Sequence, residues 1–217
     1  PVYLDYRAFA DAELALILLT AMWFLLFAFA PFTHKVLLRE FIFQTACFII
    51  VYAAAAFGLQ SRAFSSSFGL TVIIPASLFV LIQAVLYGQL SAMFFSFMLS
   101  FGVFTASSWQ IIPFVFTLAS CLAASAIVRK IARRIDMVIV ALVLAFLDAV
   151  LISIIAVIFN EDVSKMPMII AGVAANGFLS GILALGLITP VEFMLNTASV
   201  FRLMDLSDLN NPVMRKM

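Results

Sequence analysis

The sequence predicts an all-α fold, a polytopic bundle of membrane-spanning helices. Hydrophobic residues make up 66% of the 217 residues and charged residues only 11%, whereas soluble domains carry about 25% charged residues. About 20 consecutive apolar residues are needed for a helix to cross the roughly 30 Å of hydrocarbon in a bilayer. Seven runs of this length occur along the chain. We therefore expect seven transmembrane helices, with the amino terminus outside and the carboxyl terminus in the cytoplasm.

The seven runs follow one another with only short connections. The predicted spans lie at about 12–32, 40–59, 69–87, 90–106, 109–128, 137–159 and 167–188. Pro75 lies within the third run and predicts a kink there, because proline removes a helical hydrogen bond. The stretch 68–128 is also compatible with a re-entrant segment in place of three clean spans.

The ends of the chain suggest its organisation. We expect a transmembrane domain over 1–195 and a polar connector over 196–217. Because the sequence begins at Pro1 and not at an initiator methionine, we expect it to be part of a longer protein.

The basic residues indicate the orientation. With the amino terminus outside, nine of the twelve Lys and Arg residues fall in cytoplasmic segments and three fall outside. The nine are Lys35, Arg39, Arg129, Lys130, Arg133, Arg134, Arg202, Arg215 and Lys216. Cytoplasmic loops of membrane proteins carry such an excess of positive charge. An odd number of spans then places the carboxyl-terminal tail in the cytoplasm.

Two polar residues deep in the predicted spans are the candidate site residues. Asp148 lies at the middle of the sixth run and Asn176 at a similar depth in the seventh. A carboxylate at this depth costs several kcal/mol, so Asp148 should face the interior of the bundle, find a partner such as Asn176, or stay protonated. This pair is either interhelical glue, worth about 0.5–2 kcal/mol, or a ligand- or proton-sensing site. Gln83 is expected nearer a membrane surface, in water or bonded to main chain.

Small residues recur four positions apart, which allows helix backbones to approach closely. The pairs are Ala119 and Ala123, Ala141 and Ala145, Ala171 and Ala175, and Gly177 and Gly181. We expect them to pack helices within one bundle and not to form a dimer contact.

The chain shows no catalytic constellation. His34 is the only histidine, so a histidine-based metal centre or catalytic dyad cannot be assembled from it. We expect neither a metal site nor a cofactor in this chain, and nothing in it indicates nucleic-acid binding. Cys47 and Cys121 lie within apolar runs, where packing is the expected role.

The tail at 196–217 is amphipathic and predicts a helix, a turn and a second helix. Its sequence from residue 201, FRLMDLSDLNNPVMRKM, resembles the connector between the membrane bundle and the hydrolase domain of bacterial seven-transmembrane receptors with an intracellular HD hydrolase. The positions that match are Arg202, Leu203, Leu206, Ser207, Asn210, Pro212 and Arg215. Leu209 and Asn211 depart from the family, which has proline and histidine there.

The resemblance implies a bacterial inner-membrane receptor with an extracellular sensor domain and a cytoplasmic HD phosphodiesterase that cleaves cyclic di-AMP. In that scheme the connector residues that transmit the output are Phe201, Arg202, Leu206 and Pro212, and no catalytic residue lies in this chain. The expected partners are the lipid bilayer, the protein's own sensor and HD domains, and a second copy in a homodimer. The alternatives are a small-solute binding subunit or transporter component, with a pocket lined by Asp148, Asn176 and Trp109, and a structural scaffold of the cell envelope.

Overall fold

The structure, a computed structural model, describes residues 38–62, 64, 66–128, 135–159 and 166–196, together with single helical positions at 10, 13, 14, 17 and 21. The described residues form helices joined by short turns, without strands. The helices are α1 (Leu38–Gln60), α2 (Ser67–Ile73), α3 (Ala76–Tyr87), α4 (Gln89–Ala106), α5 (Ile111–Val128), α6 (Asp136–Ile158) and α7 (Met166–Leu195). The all-α prediction is confirmed for this part of the chain.

Five of these helices, α1, α4, α5, α6 and α7, are long and apolar enough to cross a membrane. The count within the described residues rises to six if α2 and α3, which meet at a bend of 43°, form one broken span. The first predicted span, 12–32, lies outside the described residues apart from single positions. The connector residues Phe201, Arg202, Leu206 and Pro212 also lie outside them.

The third predicted span, 69–87, differs most from the prediction, because it is two helices and not one. Ile74, between α2 and α3, has an extended backbone with φ −79° and ψ 112°. Proline disfavours the helical conformation in the residue before it and offers no N–H for a helical hydrogen bond. Pro75 therefore ends α2, and a new helix, α3, begins at Ala76.

The α3 helix forms the centre of the bundle. Residues 76–85 are all buried, and α3 packs against α4, α5 and α7. A helix that is buried on every side is surrounded by protein and not by lipid. The outer helices differ, because large apolar side chains of α6 such as Ile139, Leu142, Phe146 and Ile154 are exposed. Such a surface is suited to lipid.

The contact between α6 and α7 is the most extensive pairing of described helices. A Cβ atom added to Gly181 would lie 2.6 Å from the Cα atom of Ala141, and one added to Gly177 would lie 3.2 Å from that of Ala145. Two of the predicted small-residue pairs therefore face each other across this contact. Their expected role in packing helices within one bundle is confirmed.

The last helix is longer than its apolar run. The sequence predicts a span at 167–188, followed by a break at Pro190, but α7 continues through Pro190 to Leu195. At 1.5 Å per residue its 30 residues extend about 45 Å, which exceeds the roughly 30 Å of hydrocarbon. Helices in membranes tolerate an internal proline where neighbouring groups satisfy the freed carbonyl. Asn196, with φ 53°, follows the last helical residue.

Candidate functional site

Asp148 lies inside the bundle, as its depth in the sequence predicts. Its side chain is 2% exposed, and it lines a small cavity of about 10 Å³. The remaining lining comes from the α2–α3 break and from helices α3, α5 and α7, which converge at this depth. The cavity, called here the Asp148 cavity, is lined by Ile74, Ala76, Ser77, Phe116, Thr117, Ser120, Cys121, Asp148 and Asn176.

The carboxyl group of Asp148 is only partly satisfied. The hydroxyl group of Ser120 on α5 lines the same cavity, whereas the Oδ1 atom of Asp148 is buried and has no hydrogen-bond partner. On the other side, a Cβ atom added to Gly177 would lie 2.7 Å from Oδ2. The absence of a side chain at residue 177 therefore allows α7 to pass directly over the carboxyl group.

Asn176 has a different role from the predicted one. Its Nδ2 donates to the main-chain carbonyl of Ile74 at 3.0 Å and, more weakly, to that of Thr71 at 3.5 Å. Its Oδ1 accepts from Ser180 Oγ at 3.5 Å. Asn176 and Asp148 both line the cavity, but no hydrogen bond joins their side chains in the described structure. The predicted hydrogen bond between the two residues is therefore not formed.

The bonds of Asn176 follow from the helix break. Pro75 has no N–H for the carbonyl of Thr71, four residues earlier, and the extended Ile74 lies between the two helices. Carbonyl groups of this kind need another partner in hydrocarbon. The amide of Asn176 supplies that partner from α7. The side chain therefore joins the last described helix to the broken one.

The hydroxyl groups around Asp148 were not among the predicted site residues. Most buried hydroxyls among the described residues donate to a carbonyl of their own helix, as Thr71, Ser96 and Ser100 do. In the described parts of α3 and α5, Ser77 and Thr117 line the cavity and make no such bond. The spacing of Thr117 and Ser120, three residues apart on one helix face, was the one available signal.

A second polar cluster lies elsewhere in the bundle. Glu40, Gln44, Gln83 and Ser91, here the Glu40 network, are all nearly fully buried. Gln44 Nε2 and Gln83 Nε2 donate to Glu40 Oε1 at 3.0 and 3.2 Å, and Gln83 Nε2 also contacts Ser91 Oγ at 2.9 Å. The prediction that Gln83 is solvated or bonded to main chain is wrong, since it is 0% exposed and bonds side chains.

Comparison with known protein families identifies the chain. The family model described as a 7TM receptor with intracellular HD hydrolase matches residues 10–199. The chain belongs to this family. No curated protein and no solved structure gives a match.

Membership in this family indicates the broad role of the chain. It is a multi-pass membrane protein with long apolar helices, and it corresponds to the membrane region of the receptors that the family description links to an intracellular HD hydrolase. The pocket predicted for the transporter alternative is not formed by the described residues. The cavity at Asp148 and Asn176 has room for about one water-sized particle, and Trp109 lies elsewhere with 53% of its surface exposed.

Proposed function

We propose that this chain is the transmembrane sensor and transducer of a receptor-type cyclic di-AMP phosphodiesterase in the bacterial inner membrane. The family match over residues 10–199 is the observation that supports this role. In the proposal, seven spans place the amino terminus outside, next to an extracellular sensor domain. The carboxyl-terminal end leads into a cytoplasmic HD domain, which holds the metal ions and performs the hydrolysis.

The proposed relay runs through α7. This helix is bonded to the α2–α3 break by Asn176 and packed closely on α6 through Gly177 and Gly181. A change in the bend between α2 and α3 would move the carbonyl of Ile74 and, with it, the amide of Asn176. Such a movement would reach the connector residues Phe201, Arg202, Leu206 and Pro212, and would bias a homodimer of HD domains. Two bundle states with different affinity for the signal are required.

The full-length protein in lipid nanodiscs tests this function. We expect it to convert cyclic di-AMP to the linear dinucleotide, which chromatography separates from the substrate. Asn176→Ala removes the bond between α7 and the helix break and should change the basal hydrolysis rate by about fivefold or more, the usual scale of coupling between sites.

Ser153→Ala is the matched control, because Ser153 Oγ bonds only a carbonyl of its own helix and the substitution should leave the rate unchanged. An intact protein that leaves cyclic di-AMP uncleaved would contradict the assigned substrate. Equal rates in Asn176→Ala and in the unchanged protein would contradict the relay through α7.

A further inference from the structure

We infer that the Asp148 cavity is a binding site for a small monovalent cation, of which Na⁺ is the representative. This cation site departs from the sequence-based expectation that the chain holds no metal site. Among the described residues no three His, Cys, Asp or Glu side chains come together. An alkali cation does not need such a cluster, because neutral oxygen atoms and a single carboxylate are sufficient ligands.

The cavity holds one acidic group and no basic one. Asp148 is 2% exposed, and none of the residues that line its cavity is basic. A carboxylate in hydrocarbon is costly unless an opposite charge or a proton neutralises it. Its Oδ1 atom lies buried without a hydrogen-bond partner, so it offers a free ligand atom at the place where a positive charge is needed.

The cavity also provides neutral oxygen ligands. Ser77, Thr117 and Ser120 bring hydroxyl groups to the same cavity, and Asn176 brings an amide. Oxygen atoms of this kind are the ligands that hard cations prefer. Ser77 and Thr117 line the cavity and accept no hydrogen bond from the described residues, so their oxygen lone pairs are available to a ligand.

The volume of the cavity and its single carboxylate favour a small monovalent ion. The cavity of about 10 Å³ accommodates roughly one water-sized particle. Mg²⁺ usually retains several waters, and Ca²⁺ takes about 6–8 oxygen ligands, neither of which fits here. A single carboxylate balances a single positive charge. The site lies beside the α2–α3 break, and broken membrane helices provide alkali-cation sites in other membrane proteins.

The inference concerns binding at the site and does not require the proposed relay, so each can fail without the other. The test is thermal unfolding of the full-length protein in nanodiscs, in NaCl and in choline chloride at equal ionic strength and in mildly alkaline buffer. A ligand that binds only the folded state raises the unfolding midpoint. We expect saturating Na⁺ to raise it by about 5 °C or more relative to choline.

Asp148→Asn should abolish the difference in unfolding midpoint between NaCl and choline chloride, whether or not the substitution itself changes the stability. Glu40→Gln is the matched control, because it removes a buried carboxylate from the Glu40 network and should retain the full response to Na⁺. Thr117→Val keeps the side-chain shape and removes one hydroxyl ligand, so the Na⁺ concentration for half the effect should rise about tenfold.

The Thr117→Val result remains informative if Asp148→Asn does not fold. Equal unfolding midpoints in NaCl and choline chloride for the unchanged protein would overturn the inference and leave Asp148 neutralised by a proton. A response to Na⁺ that persists in Asp148→Asn would also overturn it.

Discussion

At the scale of single residues, depth in an apolar run was enough to identify Asp148 and Asn176 but not the hydroxyl groups that share their cavity. A carboxylate in the middle of a membrane helix has to face protein, so its burial could be predicted without knowledge of the fold. Hydroxyl groups give no such signal, because Ser96 and Ser153 satisfy themselves on their own helices. Which hydroxyls face Asp148 depends on how α5 is rotated within the bundle, and this is a tertiary property.

The burial of Glu40, near the start of α1, was likewise not predicted from the sequence. It lies beside Arg39 at the boundary of a predicted span, where charged side chains are ordinarily solvated. Its spacing of four residues from Gln44 places both on one helix face, and this was the available signal. The third member, Gln83, is 43 residues further along the chain than Glu40, so no local pattern could reveal their contact.

A prediction at this scale concerns the hydrogen bonds of Gln83. Gln83→Leu leaves Glu40 and Ser91 with one donor fewer in a site closed to water, and a buried polar group without its partner costs about 1–3 kcal/mol. We expect the free energy of unfolding to fall by this amount in a denaturation series in mixed micelles.

Gln60→Leu makes the same chemical change at an exposed position at the end of α1 and should leave the stability nearly unchanged. Equal stability in the two variants would show that the Glu40 network contributes nothing measurable.

At the scale of helices, two prolines have different effects: Pro75 separates two helices, whereas Pro190 lies inside one. Pro75 was expected to kink one helix, and it separates two, because Ile74 takes the extended conformation that proline favours in its neighbour. Pro190 lies within α7 without ending it. The outcome at each proline depends on whether other groups bind the freed carbonyls, as Asn176 does for Ile74, and a linear sequence does not reveal that.

The close contact of α6 and α7 gives a prediction at this scale. Gly181→Ala places a methyl group 2.6 Å from the Cα atom of Ala141, so the two helices must move apart. Overpacking of this kind costs about 1–3 kcal/mol, and we expect that loss in the same denaturation series.

Gly186→Ala is the control on the same helix, because nothing lies within 4 Å of its added methyl group. Alanine is a better helix former than glycine by about 1 kcal/mol, so this variant should be as stable as the unchanged protein or more stable. A Gly181→Ala variant that matched Gly186→Ala would contradict the close approach of α6 and α7.

At the scale of the whole molecule, composition and apolar runs predicted the all-helical membrane bundle, because exclusion of charge and helix length depend on the bilayer alone. The short stretch at 201–217 indicated the family, which the match over residues 10–199 establishes independently. The number of spans remains a prediction: the described residues contain five long apolar helices, or six with the broken pair, and the first predicted span lies outside them.

The sidedness of the bundle is the central claim, because a transducer of this design must have its two ends on opposite faces of the membrane. Single cysteines introduced as Ala8→Cys, Ser61→Cys, Ala132→Cys and Ala198→Cys report it through a membrane-impermeant maleimide applied to intact cells. The native Cys47 and Cys121 are buried and should give little background.

We expect labelling of positions 8 and 61 in intact cells, and of positions 132 and 198 only after the membrane is permeabilised. Labelling of positions 8 and 198 from the same side would give an even number of spans and contradict the account.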